Sequence, residues 1–162
     1  MSVTKEARIK ILSELYEVEA SLFTDGDDAP DFFETEDKTA EPEIMEINSV
    51  GNICDDGDRI TLSYEESDAS GMQGSTTSIT FLKSDPSIVT MMRSGLVSAT
   101  LVFEEGKRHH CIYKTPFMPF EVCIHTTKVV NALLVGNTLE LDYIVEIRGA
   151  KAERTKFKMQ IL

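Results

Sequence analysis

Residues 91–128 read MMRSGLVSATLVFEEGKRHHCIYKTPFMPFEVCIHTTK, and this stretch decides the fold. Turn chemistry at Ser94-Gly95, Glu105-Gly106 and Pro116 to Pro119 divides it into four short segments. Within them apolar and polar residues alternate, as with Leu101 and Phe103 before the second break and Val122 and Ile124 after the third. Such a meander can bury its apolar face only if the sheet curls over a single core.

Outward from there the same pattern repeats. Strands are expected at Glu43–Cys54, Arg59–Glu66, Ser75–Lys83, Ser87–Arg93 and Ser98–Glu104, then at His109–Thr115, Phe120–Val129, Thr138–Arg148 and Lys151–Leu162. Their separators include Asp55 to Asp58, Ser70-Gly71, Asp85-Pro86, Gly136-Asn137 and Gly149. Residues 5–23 suit a helix by propensity and a strand by alternation. The all-β context selects the strand, which should pair with the C-terminal strand and help close the sheet. The expected architecture is all-β: a single domain over residues 1–162, an antiparallel up-and-down barrel of about 8–10 strands. Residues 25–43 are acidic, contain two prolines and lack any period, so they are expected to form a flexible insertion dispensable for folding. Phe32-Phe33 within it have two readings, docking on a partner or folding back on the barrel, and the second is the expectation.

Charge is distributed unevenly. Residues 14–68 carry 19 acids against Lys38 and Arg59, within a chain of net charge −12. An acidic surface repels phosphate backbones, so nucleic acid is not an expected partner. No apolar run is long enough to span a bilayer as a helix, so no membrane partner is expected either. The opening MSVTKEARIK has no apolar segment of signal-peptide type, and the cysteines (Cys54, Cys111, Cys123) are odd in number without CxxC spacing. A reducing cytoplasm follows as the expected location.

Several short runs together carry a resemblance. Tyr64-Glu65-Glu66, Arg93-Ser94-Gly95, Phe103-Glu104-Glu105-Gly106, Tyr113-Lys114-Thr115-Pro116-Phe117, Thr126-Thr127 and Leu141-Asp142-Tyr143 stand in this order along residues 43–162. In order and spacing the chain resembles the YwiB-like family of small bacterial proteins of unknown function. The resemblance implies a calycin-like barrel, similar in shape to lipocalins, and brings no activity with it. The chain departs from the family pattern at its acidic segment and at Met118-Pro119, where a glycine is expected. With no tryptophan it also lacks the Gly-x-Trp mark of true lipocalins.

Residues two apart in a strand share a face, which groups the side chains that could act together. His109, Cys111, Cys123 and His125 contain zinc-ligand chemistry, but on two strands rather than in close pairs on turns, so no metal site or cofactor is expected. Cys123 and His125 share a face expected to look outward, with no orienting group for a nucleophile. The adjacent acids Glu65-Glu66 and Glu104-Glu105 diverge to opposite faces, which lets one of each pair point inward, and they read as solvated rather than catalytic. Arg93 continues the apolar row of Val89 and Met91, so its charge should point inward and require a partner. Glu65 or Glu66 is the expected carboxylate, with Tyr113 or Tyr143 adding a hydroxyl. The candidate ligand-binding set is Arg93, Tyr113, Tyr143 and Glu65. Arg93 is either a tie fixing strand register or an anchor for an anionic head group.

Two functions follow as expectations. One is a non-enzymatic barrel binding a small anionic or amphiphilic molecule in its interior or mouth. The other is a protein-interaction or regulatory module that uses the acidic insertion. The inward rows include Ile79, Phe81, Phe103, Phe120, Phe157 and Met159, large residues that argue for a small or closed cavity.

Overall fold

A computed structural model describes residues 3–18, 42–66, 74–147 and 152–162. The strands are β1 (Val3–Val18), β2 (Glu43–Asp55), β3 (Arg59–Glu65), β4 (Thr76–Leu82) and β5 (Asp85–Ser94), followed by β6 (Ala99–Glu104), β7 (Arg108–Lys114), β8 (Pro119–Ala132), β9 (Thr138–Ile147) and β10 (Ala152–Ile161). The insertion expected at 25–43 and Phe32-Phe33 lie outside the described residues, apart from the end of that range at Pro42 and Glu43. Asp85-Pro86 proves to open β5 rather than to form a turn; the chain reverses one step earlier, at Lys83-Ser84. Among the described residues no helix is long and apolar enough to cross a membrane.

Each strand is built by side-chain alternation. In β3 the buried row is Ile60, Leu62 and Tyr64, whereas Arg59 and Glu65 face solvent. The ten strands form one antiparallel sheet in the order β6-β5-β4-β3-β2-β1-β10-β9-β8-β7. β1 runs beside β10 from Ile9 opposite Ile161 to Val18 opposite Ala152, as the patterning of both ends implies. The ring is nearly closed, and its seam lies between β6 and β7 rather than at the chain ends. These two strands meet through an isolated bridge, Ser98 to Lys114, and through the contact of His109 Nε2 with Glu104 Oε1 at 3.1 Å.

Two departures from regular pairing shape the wall. β8 carries a bulge between Thr126 and Lys128, which moves the inward row from Val122, Ile124 and Thr126 onto Val129. Thr127 Oγ1 donates to the Asp142 carbonyl at 2.9 Å there and takes up the broken ladder. Arg154 locks the neighbouring pair by donating to both oxygens of Asp142, at 2.9 and 2.7 Å.

The two halves of the interior differ. At one end Ile9, Ile60, Phe81, Val89, Phe103 and Leu139 fill the lumen. Asn131 Nδ2 donates to the Pro86 carbonyl across this end at 3.1 Å. At the other end the inward positions include the small residues Ser13, Thr77 and Thr155, and β3 leaves β2 after the Gly51–Tyr64 pair. Small side chains and a diverging wall leave that half hollow. The large inward residues therefore close only part of the barrel.

Candidate functional site

The hollow half encloses a cavity of about 580 Å3. Its apolar wall includes Met45, Ile47, Phe120, Val122, Val145 and Phe157. Its polar groups are Arg93, Tyr64, Tyr113, Tyr143, Glu66 and Thr155, with Glu43 and Glu153 further along the lining.

Strand register explains the assembly. Arg93 is the last inward residue of β5, after Val89 and Met91, and it stands opposite Thr77 of β4. Thr77 in turn faces Tyr64 of β3. Tyr113 comes from β7 and packs on Phe120 with ring centroids 5.5 Å apart. Tyr143 comes from β9 and leans on Phe103 at 4.6 Å, where the cavity meets the filled core.

Of the four sequence candidates, Arg93, Tyr113 and Tyr143 line the cavity together. Glu65 does not: it is exposed on the outer surface, and Glu66 takes the inner position. The reason is parity, because Ile60, Leu62, Tyr64 and Glu66 are two apart and share one face. Glu66 is only 6% exposed; its Oε1 accepts from Thr77 Oγ1 at 2.6 Å, while its Oε2 has no hydrogen-bond partner. Tyr64 and Glu66 were legible from that spacing alone. Glu43 and Glu153 were not, because they stand where strands begin.

Arg93 has no carboxylate in ion-pair contact among the described residues, and its buried Nε has no hydrogen-bond partner. Burial works against its charge, while Tyr143, Tyr113, Tyr64 and Glu66 favour it and leave its pKa above the ordinary value. The tyrosines keep their protons. Burial raises Tyr64 strongly, with the negative charge of Glu66 adding to the effect. Burial also pushes Tyr113 up to about 12, with Arg93 opposing, and it raises Tyr143 in the same way. At neutral pH the cavity therefore offers one guanidinium and three neutral phenols, beside the carboxyl groups of its lining.

These shifts have a measurable consequence. A phenol whose pKa is raised on folding stabilises the fold fully below its unfolded value near 10, and that stabilisation is lost as pH rises through the folded value. For Tyr113 the loss should reach roughly 1.4 kcal/mol by pH 11. Tyr113→Phe should therefore lose less stability than the parent between pH 9 and pH 11 in urea titrations. Equal losses in the two proteins would mean that Tyr113 titrates as an exposed tyrosine.

The histidine and cysteine candidates are divided by the wall. Cys111 shares the inner face with Tyr113, whereas Cys123 and His125 lie on the opposite face of β8 from Val122 and Ile124. Cys123 is nonetheless buried, and burial together with Glu146 raises its thiol pKa. That is the reverse of what a nucleophilic thiolate needs.

A family model described as a domain of unknown function, DUF1934, matches residues 33–159. The chain belongs to the DUF1934 family. Its fold is similar to that in "Crystal structure of ywiB protein from Bacillus subtilis", with a TM-score of 0.58 and 17% identity over 97% of this chain and 93% of that one. At that identity the likeness concerns the DUF1934 fold alone. No curated protein matches the chain. The matched region holds every charged and tyrosine residue of the cavity, from Glu43 to Glu153.

Proposed function

We propose that this chain is a calycin-like binding protein of a reducing cytoplasm that holds a small amphiphilic molecule. The anionic group of the ligand sits against Arg93 and its apolar part lies along the cavity wall. One observation carries the reading: Arg93 is turned into the cavity and has no carboxylate partner among the described residues. A register-fixing tie would need such a partner, because a partly buried guanidinium left unpaired is costly. A planar guanidinium flanked by hydroxyl groups suits a carboxylate or phosphate. The volume falls within the roughly 300–1,000 Å3 usual for small-molecule sites. Three free thiols support the reducing compartment.

Arg93→Met tests this. Stripped of ligand, the variant should unfold within about 1 kcal/mol of the parent, because no ion pair is lost. Medium-chain fatty acids at a hundredfold excess over their dissociation constant should stabilise the parent by about 2.7 kcal/mol and leave the variant unchanged. A loss of about 3–5 kcal/mol in the variant without ligand, and no ligand response in the parent, would make Arg93 a structural tie instead.

A further inference from the structure

The cavity has a second pole that an anionic head group leaves unused. Glu66 is buried, lines the same cavity as Arg93, and presents Oε2 with no partner. Leaving a buried carboxylate oxygen unpaired is costly, so this atom calls for a donor. Arg93 does not supply one, because no ion pair joins the two among the described residues. Thr77 separates them: it faces Arg93 across the β4–β5 ladder and donates its hydroxyl to the other Glu66 oxygen at 2.6 Å. Glu66 is held further by its own backbone, whose N–H donates to the Ser75 carbonyl at 2.8 Å. The carboxylate is thus fixed in position with one oxygen free.

The charge of the whole lining points the same way. Arg93 is accompanied by Glu66, Glu43 and Glu153, so carboxylates outnumber the one guanidinium of the described lining. A simple anion would gain at Arg93 and lose against three carboxylates. A molecule carrying an anionic group and an ammonium on the same carbon offers a partner to each pole.

Resting on the reading of Arg93 as an anion anchor, we infer that the ligand is zwitterionic: an α-amino acid or similar compound with an apolar side chain, its acid group on Arg93 and its ammonium on Glu66. The tyrosine hydroxyls complete the polar end, and Met45, Ile47, Phe120 and Val145 receive the hydrocarbon.

The test uses the full chain, freed of bound ligand, and three matched probes below their micelle concentrations: octanoate, octylamine and 2-aminooctanoate. In calorimetric titrations 2-aminooctanoate should bind at least tenfold more tightly than octanoate, and octylamine most weakly. Glu66→Gln, which keeps the shape of the side chain, should reduce 2-aminooctanoate to the affinity of octanoate. It should leave octanoate unchanged or tighter. Octanoate binding as well as 2-aminooctanoate, or a Glu66→Gln variant that treats both as the parent does, overturns the zwitterion and leaves the anion anchor standing. Such a result would mean that water satisfies Oε2. Tightest binding of octylamine, or no binding of any probe, overturns the anchor and this inference together. A melting curve of Glu66→Gln matching the parent shows that the comparison is made between folded proteins.

Discussion

Phe103→Ala is expected to lower the unfolding free energy by about 3–5 kcal/mol. Phe103 is fully buried among the described residues and lies between the packed half and the cavity, with Tyr143 against its ring. Removing the ring forfeits its transfer from water and leaves a void between rigid strands, which relax little. The second effect is positional, because Tyr143 loses the surface that holds its hydroxyl in the cavity. Urea unfolding of Phe103→Ala should show the drop with an unchanged denaturant slope, and Phe103→Leu should recover most of it. A loss below about 1 kcal/mol would mean that the cavity walls collapse into the vacated space, so that the packed half and the cavity are not separate regions.

Gly51→Val should cost about 2 kcal/mol, for a different reason. Gly51 is the buried position of β2 where pairing with β3 begins, opposite Tyr64 on one side and Ala7 on the other. A Cβ there would stand 2.5 Å from Ile9 Cδ1 and 2.5 Å from the Ser63 carbonyl oxygen. The isoleucine tip can turn away; the backbone oxygen of a laddered strand cannot move without breaking the ladder. Replacing glycine also reduces the freedom of the unfolded chain, a gain of about 0.4–1 kcal/mol, but overpacking of about 1–3 kcal/mol outweighs it. Gly51→Ala should therefore also be destabilising, by less than the valine variant. A rise in melting temperature for Gly51→Ala would show that β2 shifts outward at no cost.

Legibility in the sequence followed the local period. Strands such as β3 and β4 alternate cleanly and have turn residues at both ends, and their expected boundaries lie within about two residues of the observed ones. The same period could have separated Glu66 from Glu65 by counting on from Tyr64. The bulge after Thr126 was hidden, because Thr126-Thr127 are alike and neither residue marks which one is extra. The cavity was hidden for a similar reason. A list of inward residues names Phe157 and Phe120 as large, but not the heights at which Ser13, Thr77 and Thr155 leave space between them. Ile144 and Glu146 are buried on the face of β9 opposite Tyr143 and Val145, and no two-residue period predicts burial on both faces. The lone charge at Arg93 was legible as inward; whether a carboxylate met it depended on geometry across three strands.

The seam between β6 and β7 has a consequence for how the ring assembles. The strands that one short turn would bring together first share a single bridge, while Ile9 and Ile161, at opposite ends of the chain, belong to a ten-pair ladder. The order of difficulty is thereby inverted. The most local hairpin contributes little, and the sheet is held at its middle by its least local partners. Closing so large a loop carries its entropy cost before the contacts that repay it have formed, which places the chain among slow folders. β10 follows the other nine strands in the chain, so each of them is made before β1 has its second neighbour. Until then β1 carries an open edge, and the nascent chain is most exposed to misassociation along the strand that later lies at the centre of its sheet.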